Sequence, residues 1–119
     1  MNIQPLRGRG AFQAIAREGR RVRRGAVTLA FLPDQTETPP RVGYSVGRRV
    51  GPAVTRNRVR RRLRAIVQEL ARQTETGLAP GAYLVGAGPT AATQSYRELR
   101  GQVAECLAAV AGRNGAQRV

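Results

Sequence analysis

The sequence has no histidine, no lysine and no tryptophan, one cysteine (Cys106), one methionine and five aromatic side chains. Each absence removes a kind of chemistry. Without histidine there can be no Ser-His-Asp triad and no Cys-His dyad, and one thiol cannot complete a structural zinc site of four nitrogen or sulfur ligands. Cys106 has no second thiol for an internal disulfide, which suits a reducing compartment. The opening Met1-Asn2-Ile3-Gln4-Pro5 lacks the apolar run of a secretory signal. The longest uncharged stretch, residues 76–96, is broken by four Gly and two Pro and makes a poor membrane span. Acids are scarce as well. Seven stand against twenty-one basic residues, all of them arginine, for a net charge of +14 over 119 residues. That length predicts a single domain over 1–119 with a modest core, and the charge predicts a polyanionic partner met in the cytoplasm.

The charge is concentrated. Residues 1–72 hold seventeen Arg and four acids, whereas residues 73–119 hold four Arg and three Glu. The first part is expected to bind and the second mainly to build. Phe12, Ile15 and Ala16 at helical spacing, closed by Gly19, predict a short helix over 11–17. Arg20, Arg21, Arg23 and Arg24 lead into a largely buried strand over 26–32, and Pro33, Asp34, Pro39 and Pro40 mark a loop. From Arg41 a second strand sets Val42, Tyr44 and Val46 on one face and Gly43, Ser45 and Gly47 on the other. The second face is small and thinly covered, so something bulky could lie against it. Gly51-Pro52 suits a helix start, and Val59, Leu63, Ile66, Val67 and Leu70 give one apolar stripe to about Arg72. Residues 82–87 read as a short buried strand. Ser95 and Glu98 fit a capping box, and Tyr96, Leu99, Val103, Leu107 and Val110 carry a last helix to Gly112, with a frayed tail over 113–119. The order predicts one α+β layer arrangement.

Between Arg56 and Arg64 six of nine residues are arginine, and nearly all lie opposite the apolar stripe, with Arg56 nearer its edge. Taken alone, this helix breaks local rules. Arg56/Arg60, Arg58/Arg62 and Arg60/Arg64 are like-charged pairs at i, i+4, each disfavoured by roughly 0.2 to 0.5 kcal/mol, and arginine in the first turn opposes the helix dipole. No acid in the stretch offsets them. Guanidinium holds phosphate through two parallel hydrogen bonds and stacks on bases, so nucleic acid is the natural partner. The bland alternative is a solvated face in a chain that favours Arg codons, and the density of six in nine argues against it. Arg48 and Arg49 extend the patch toward the sheet edge. Phe31, Tyr83 and Tyr96 fit as core, whereas Phe12 and Tyr44 are open either to packing or to base stacking. Asp34, Glu37, Glu69 and Glu75 form no acid/base or metal pair, and Cys106 reads as an inert core thiol. No catalytic residue and no protein metal ligand is expected.

The run from Arg41 to Arg64 resembles the protein subunit of bacterial ribonuclease P. That family is marked by R-V-G-x-S-V, a basic pair, G-x-A-V-x-R-N-R and a further basic helix, matched here by Arg41 to Val46, Arg48-Arg49, Gly51 to Arg58 and Arg60 to Arg64. The resemblance extends to the helix at Phe12, the strand Ala82 to Val85 and the helix from Tyr96. It implies a mixed sheet packed with helices, a ribosomal-protein-like α/β sandwich with a left-handed βαβ crossover. It also implies a ribonucleoprotein whose catalytic RNA, with Mg²⁺, removes the 5′ leader of precursor tRNA. By position, Arg56, Asn57, Arg58, Arg60, Arg61, Arg62 and Arg64 would meet the catalytic RNA, Arg48 and Arg49 would support either contact, and Phe12, Tyr44 and Ser45 would line a leader cleft. Where members often carry further aromatics this chain has Ala16 and Ala30, so either stacking on the leader would be thinner or Phe31 would compensate from the next residue. The residues alone leave open a ribosomal or assembly protein binding structured RNA. A peripheral protein on anionic membranes is disfavoured, because the apolar stripe is needed inside.

Overall fold

The computed structural model describes residues 3–34, 39–73 and 77–118, with side chains described as far as Ala111. Glu37 and Glu75 lie outside the described residues, as do the side chains of the tail.

The chain opens with β1 (Gln4–Pro5) and α1 (Arg9–Glu18), and Gly19 closes the helix by donating its N–H to the Ile15 carbonyl at 3.0 Å. A hairpin follows. β2 (Arg20–Arg24) turns through Gly25, whose φ of +59° suits glycine, into β3 (Val27–Pro33), with Val22 opposite Leu29 and Arg24 opposite Val27. β4 (Arg41–Val46) leads through a single 3-10 turn, Arg48–Val50, to α2 (Ala53–Gln73). β5 (Gly81–Ala87), a second 3-10 turn at Pro89–Ala92 and α3 (Tyr96–Arg118) complete the chain. The strands form one mixed sheet in the order β1-β4-β5-β3-β2. β4 and β5 lie side by side and parallel, joined through α2, and β3 runs antiparallel to β5.

Strand alternation divides the core in two. Val27, Leu29, Phe31, Val42, Val46, Tyr83 and Val85 point to one face, where they meet Val59, Leu63, Ile66 and Val67 of α2 and Leu99, Val103, Cys106 and Val110 of α3. Phe31 and Tyr83 stack there with centroids 4.6 Å apart. The opposite face carries a smaller cluster in which Leu6 and Ile15 cover Ala30 and Ala82. α1 therefore roofs only part of that face. Ser95 and Glu98 form the expected capping box: the Ser95 N–H donates to Glu98 Oε1 at 3.0 Å and the Glu98 N–H to Ser95 Oγ at 3.1 Å. Cys106 is fully buried, its S–H 3.8 Å from the Val27 carbonyl, and burial pushes the thiol up.

Four sequence readings are corrected. The arginine run before the first long strand is itself a strand, paired to β3 along its whole length. β1 was not foreseen, and α3 continues past Gly112 to Arg118. Tyr96 is not core: it sits in the first turn of α3, 38% exposed, with its hydroxyl 3.4 Å from Glu69 Oε2 on α2.

Candidate nucleic-acid interface

The apolar stripe of α2 fixes the direction of its arginines. Because Val59, Leu63, Ile66 and Val67 are buried against the sheet, Asn57, Arg58, Arg61 and Arg64 are exposed and Arg56, Arg60 and Arg62 half-buried. Among the described residues none of these six arginines pairs with a carboxylate; the ion pairs are Arg41 with Asp34 at 3.5 Å and Arg100 with Glu69 at 2.9 Å. Their partners are neutral instead. Arg60 Nη1 donates to Asn57 Oδ1 at 2.8 Å, and Arg56 Nε reaches back round the core edge to the Gly51 carbonyl at 3.2 Å. Arg58 and Arg62 donate to the carbonyls of Ala92 and Gln94, at 3.3 and 3.4 Å, tying α2 to the segment that enters α3. Arg64 lies over the Tyr44 ring, 5.4 Å from its centroid. Each contact uses one or two of five guanidinium donors, so the charge and several N–H groups still face outward. Val54, Asn57, Arg60, Arg61 and Arg64 line a shallow depression of about 470 Å³.

The second feature lies on the part of the sheet that α1 leaves uncovered. A cleft of about 630 Å³ runs across β3, β5 and β4, floored by Thr28, Ala30, Gly86 and Ser45 and edged by Arg21 and Arg23 of β2 and by Arg49. The floor is low for a local reason. A Cβ on Gly86 would stand 2.5 Å from Thr28 Oγ1, so glycine lets the Thr28 side chain lie flat across it, while a Cβ on Gly47 would meet nothing within 4 Å. Arg21 also braces the site: its Nη2 donates to the Ala16 carbonyl in the last turn of α1, 2.8 Å away.

The expected site residues separate. Arg49 and Ser45 line the cleft; Arg48 is exposed on the same 3-10 turn. Phe12 lies on the cleft's side of the sheet but packs under α1, with its Cε1 3.1 Å from where a Gly43 Cβ would stand. Tyr44 does not join them. Alternation turns it to the other face, toward α2 and Arg64, where desolvation pushes its hydroxyl up to about 12 against a smaller opposing pull from Arg64. The shared cleft of Phe12, Tyr44 and Ser45 is therefore corrected to Ser45 with Phe12 nearby and Tyr44 behind the sheet. Arg21, Arg23 and Thr28 were missed. The signal that could have found them is the spacing of Arg21, Val22 and Arg23 in what proves to be a strand.

Fold and surface together define a strongly basic α+β protein on a mixed sheet, with a guanidinium-faced helix beside an open cleft. A profile of the family described as Ribonuclease P matches residues 2–111. The chain is 40% identical over 112 residues to the ribonuclease P protein component of Thermobifida fusca, covering 88% of this chain and 74% of that protein. It is 40% identical over 101 residues to that of Symbiobacterium thermophilum, covering 84% of each. Solved structures of the RNase P proteins of Staphylococcus aureus and Thermotoga maritima superpose with TM-scores of 0.78 and 0.73, at 19% and 21% identity, over 89% and 87% of this chain and 94% of each of theirs. At such identities they speak for the fold alone. The chain belongs to the ribonuclease P protein family, the protein component of a tRNA-processing endoribonuclease, and that membership implies partnership with ribonuclease P RNA.

Proposed function

We propose that the chain is the non-catalytic, RNA-binding half of a cytoplasmic ribonuclease P, holding the catalytic RNA on the arginine face of α2 and the single-stranded 5′ leader of precursor tRNA in the sheet cleft. The observation that carries this reading is the set of six arginines on α2 with no carboxylate partner among the described residues. Like-charge repulsion along the helix is relieved when a polyanion lies against it, and phosphate matches the guanidinium fork. In this reading hydrolysis belongs to the RNA and its Mg²⁺. The protein's share in it is to bind and orient the RNAs. The chain lowers the electrostatic cost of bringing two polyanions together and positions the leader.

Reconstitution tests this directly. The chain added to ribonuclease P RNA is expected to speed Mg²⁺-dependent release of the leader and to tighten binding of precursor over mature tRNA. Cleavage by the protein alone at the rate of the complex, or no effect of the protein on the RNA, overturns the reading.

A further inference from the structure

The cleft lining contains three arginines and no acidic or aromatic side chain. Aromatic stacking platforms for bases are thus missing from the floor, which is made of Thr28, Ala30, Ser45, Gly47 and Gly86 together with Leu84. The cations, by contrast, stand on opposite sides. β2 and β4 are three strand spacings apart, roughly 14 Å, with Arg21 and Arg23 on the outer strand and Arg49 just beyond the end of β4. Arg23 faces the cleft because it pairs with Thr28, whose side chain lies on the floor; Arg20 and Arg24 have the opposite parity and face the α3 side. Arg21 holds α1 in place through the Ala16 carbonyl, whereas Arg23 is exposed and donates its Nε to the Gly25 carbonyl at 3.3 Å, with no bond among the described residues engaging its two terminal nitrogens.

We propose that β2 is a cationic rail for the cleft: Arg23, with Arg49 across the floor, grips the sugar-phosphate backbone of the single strand, so that the cleft reads backbone charge and not base identity or base stacking. This rests on the assignment of the cleft to the leader, and it adds how the leader is recognised. The small residues Ala30, Ser45, Gly47 and Gly86 let a backbone approach closely, as glycine in strand interiors often does, and the paired cations fix the strand's path between them.

The test uses the complex of the chain with ribonuclease P RNA and compares precursor with mature tRNA, so that only the leader's contribution is read. The wild-type gain in affinity should fall as salt rises, and Arg23→Ala should reduce the slope of log gain against log salt by about 0.7, the value of one single-strand phosphate contact. Arg23→Lys should restore most of it, and affinity for mature tRNA should not move. A leader of abasic nucleotides should keep the gain within about threefold, whereas loss of stacking would cost roughly fivefold or more per base. A leader with neutral methylphosphonate linkages should lose the gain. An unchanged slope in Arg23→Ala, or a gain abolished by the abasic leader, overturns the rail while leaving the cleft assigned to the leader. No leader-dependent gain in the wild type overturns the cleft assignment as well, and no stimulation of cleavage overturns the proposed function itself.

Discussion

Tyr44 and Ser45 are neighbours in sequence and lie on opposite faces of the sheet, so substitutions at the two positions should be felt in different places. Burial beneath α2 pushes the half-buried Tyr44 phenol up to about 12, and burial pushes the Tyr83 hydroxyl up as well, above the ordinary value of 10.0. A raised phenol stabilises the fold fully below the unfolded-state value and loses that contribution as pH rises, because the unfolded chain sheds its proton first. Stability of the free protein should therefore stay level in this respect up to pH 10 and fall between pH 10 and 12, by at most about 1.4 kcal/mol per pH unit for each phenol before discounting for partial exposure. Urea melts across that window should show a smaller fall in Tyr44→Phe, and an equal fall would detach Tyr44 from the effect. Gly47 gives the complementary test at the cleft. Its φ of −85° and ψ of 176° are open to any residue, and nothing lies within 4 Å of an added Cβ. Gly47→Leu should melt within a degree or two of the parent yet weaken binding of a precursor's leader, since the new side chain fills space reserved for the ligand. A loss confined to stability would show the cleft to be idle.

At the scale of elements, α2 was legible almost to the residue because its stripe of Val59, Leu63, Ile66 and Val67 has a period no other structure shares, and that period also located the arginines. β2 was hidden by the same composition. Four arginines in five residues leave Val22 as the one apolar mark, and a strand whose alternation is charged on both sides is recognised only through its pairing with β3. β1, two residues long, is too short to carry any period. Tyr96 misled because one helical turn cannot show which way its first residue leans; Glu69 on α2 and Arg100, one turn on in α3 itself, hold the rim where it lies. Half of the candidate site was thus readable, the helix face, and the rail of the cleft was not. The face itself is divided by its hydrogen bonds. Arg61 has no partner among the described residues, so Arg61→Ala should leave the melting temperature unchanged and lower the salt slope of RNA binding by about 0.7 to 0.9. Arg62→Ala should do that and also cost about 0.5 to 1.5 kcal/mol, toward the lower end because the bond to the Gln94 carbonyl is 3.4 Å long. Equal stability of the two variants would mean that the tie between α2 and the entry to α3 contributes nothing.

For the molecule as a whole, a charge of +14 on 119 residues sets the terms of stability. Among the described residues two ion pairs bring arginine and carboxylate together, and the large excess of positive charge repels itself through solvent. Added salt shortens the range of that repulsion, from about 30 Å at 0.01 M to about 8 Å at 0.15 M, so the free chain should melt at a higher temperature as sodium chloride rises. Single-stranded RNA does the same work specifically. At a hundred times its Kd it should stabilise the fold by about 2.7 kcal/mol, a shift of several degrees in a domain of this size. Its affinity, however, depends on displaced counterions and collapses with salt. The melting temperature should therefore respond to salt with opposite signs, rising for the free chain and falling for the chain held at a fixed RNA concentration, until the two curves meet where binding is lost. Thermal scans at matched protein concentration along a salt series read both curves together. A free chain that melts lower as salt is added would mean that its arginines are already compensated within the fold, and the need for an outside polyanion would disappear with the repulsion.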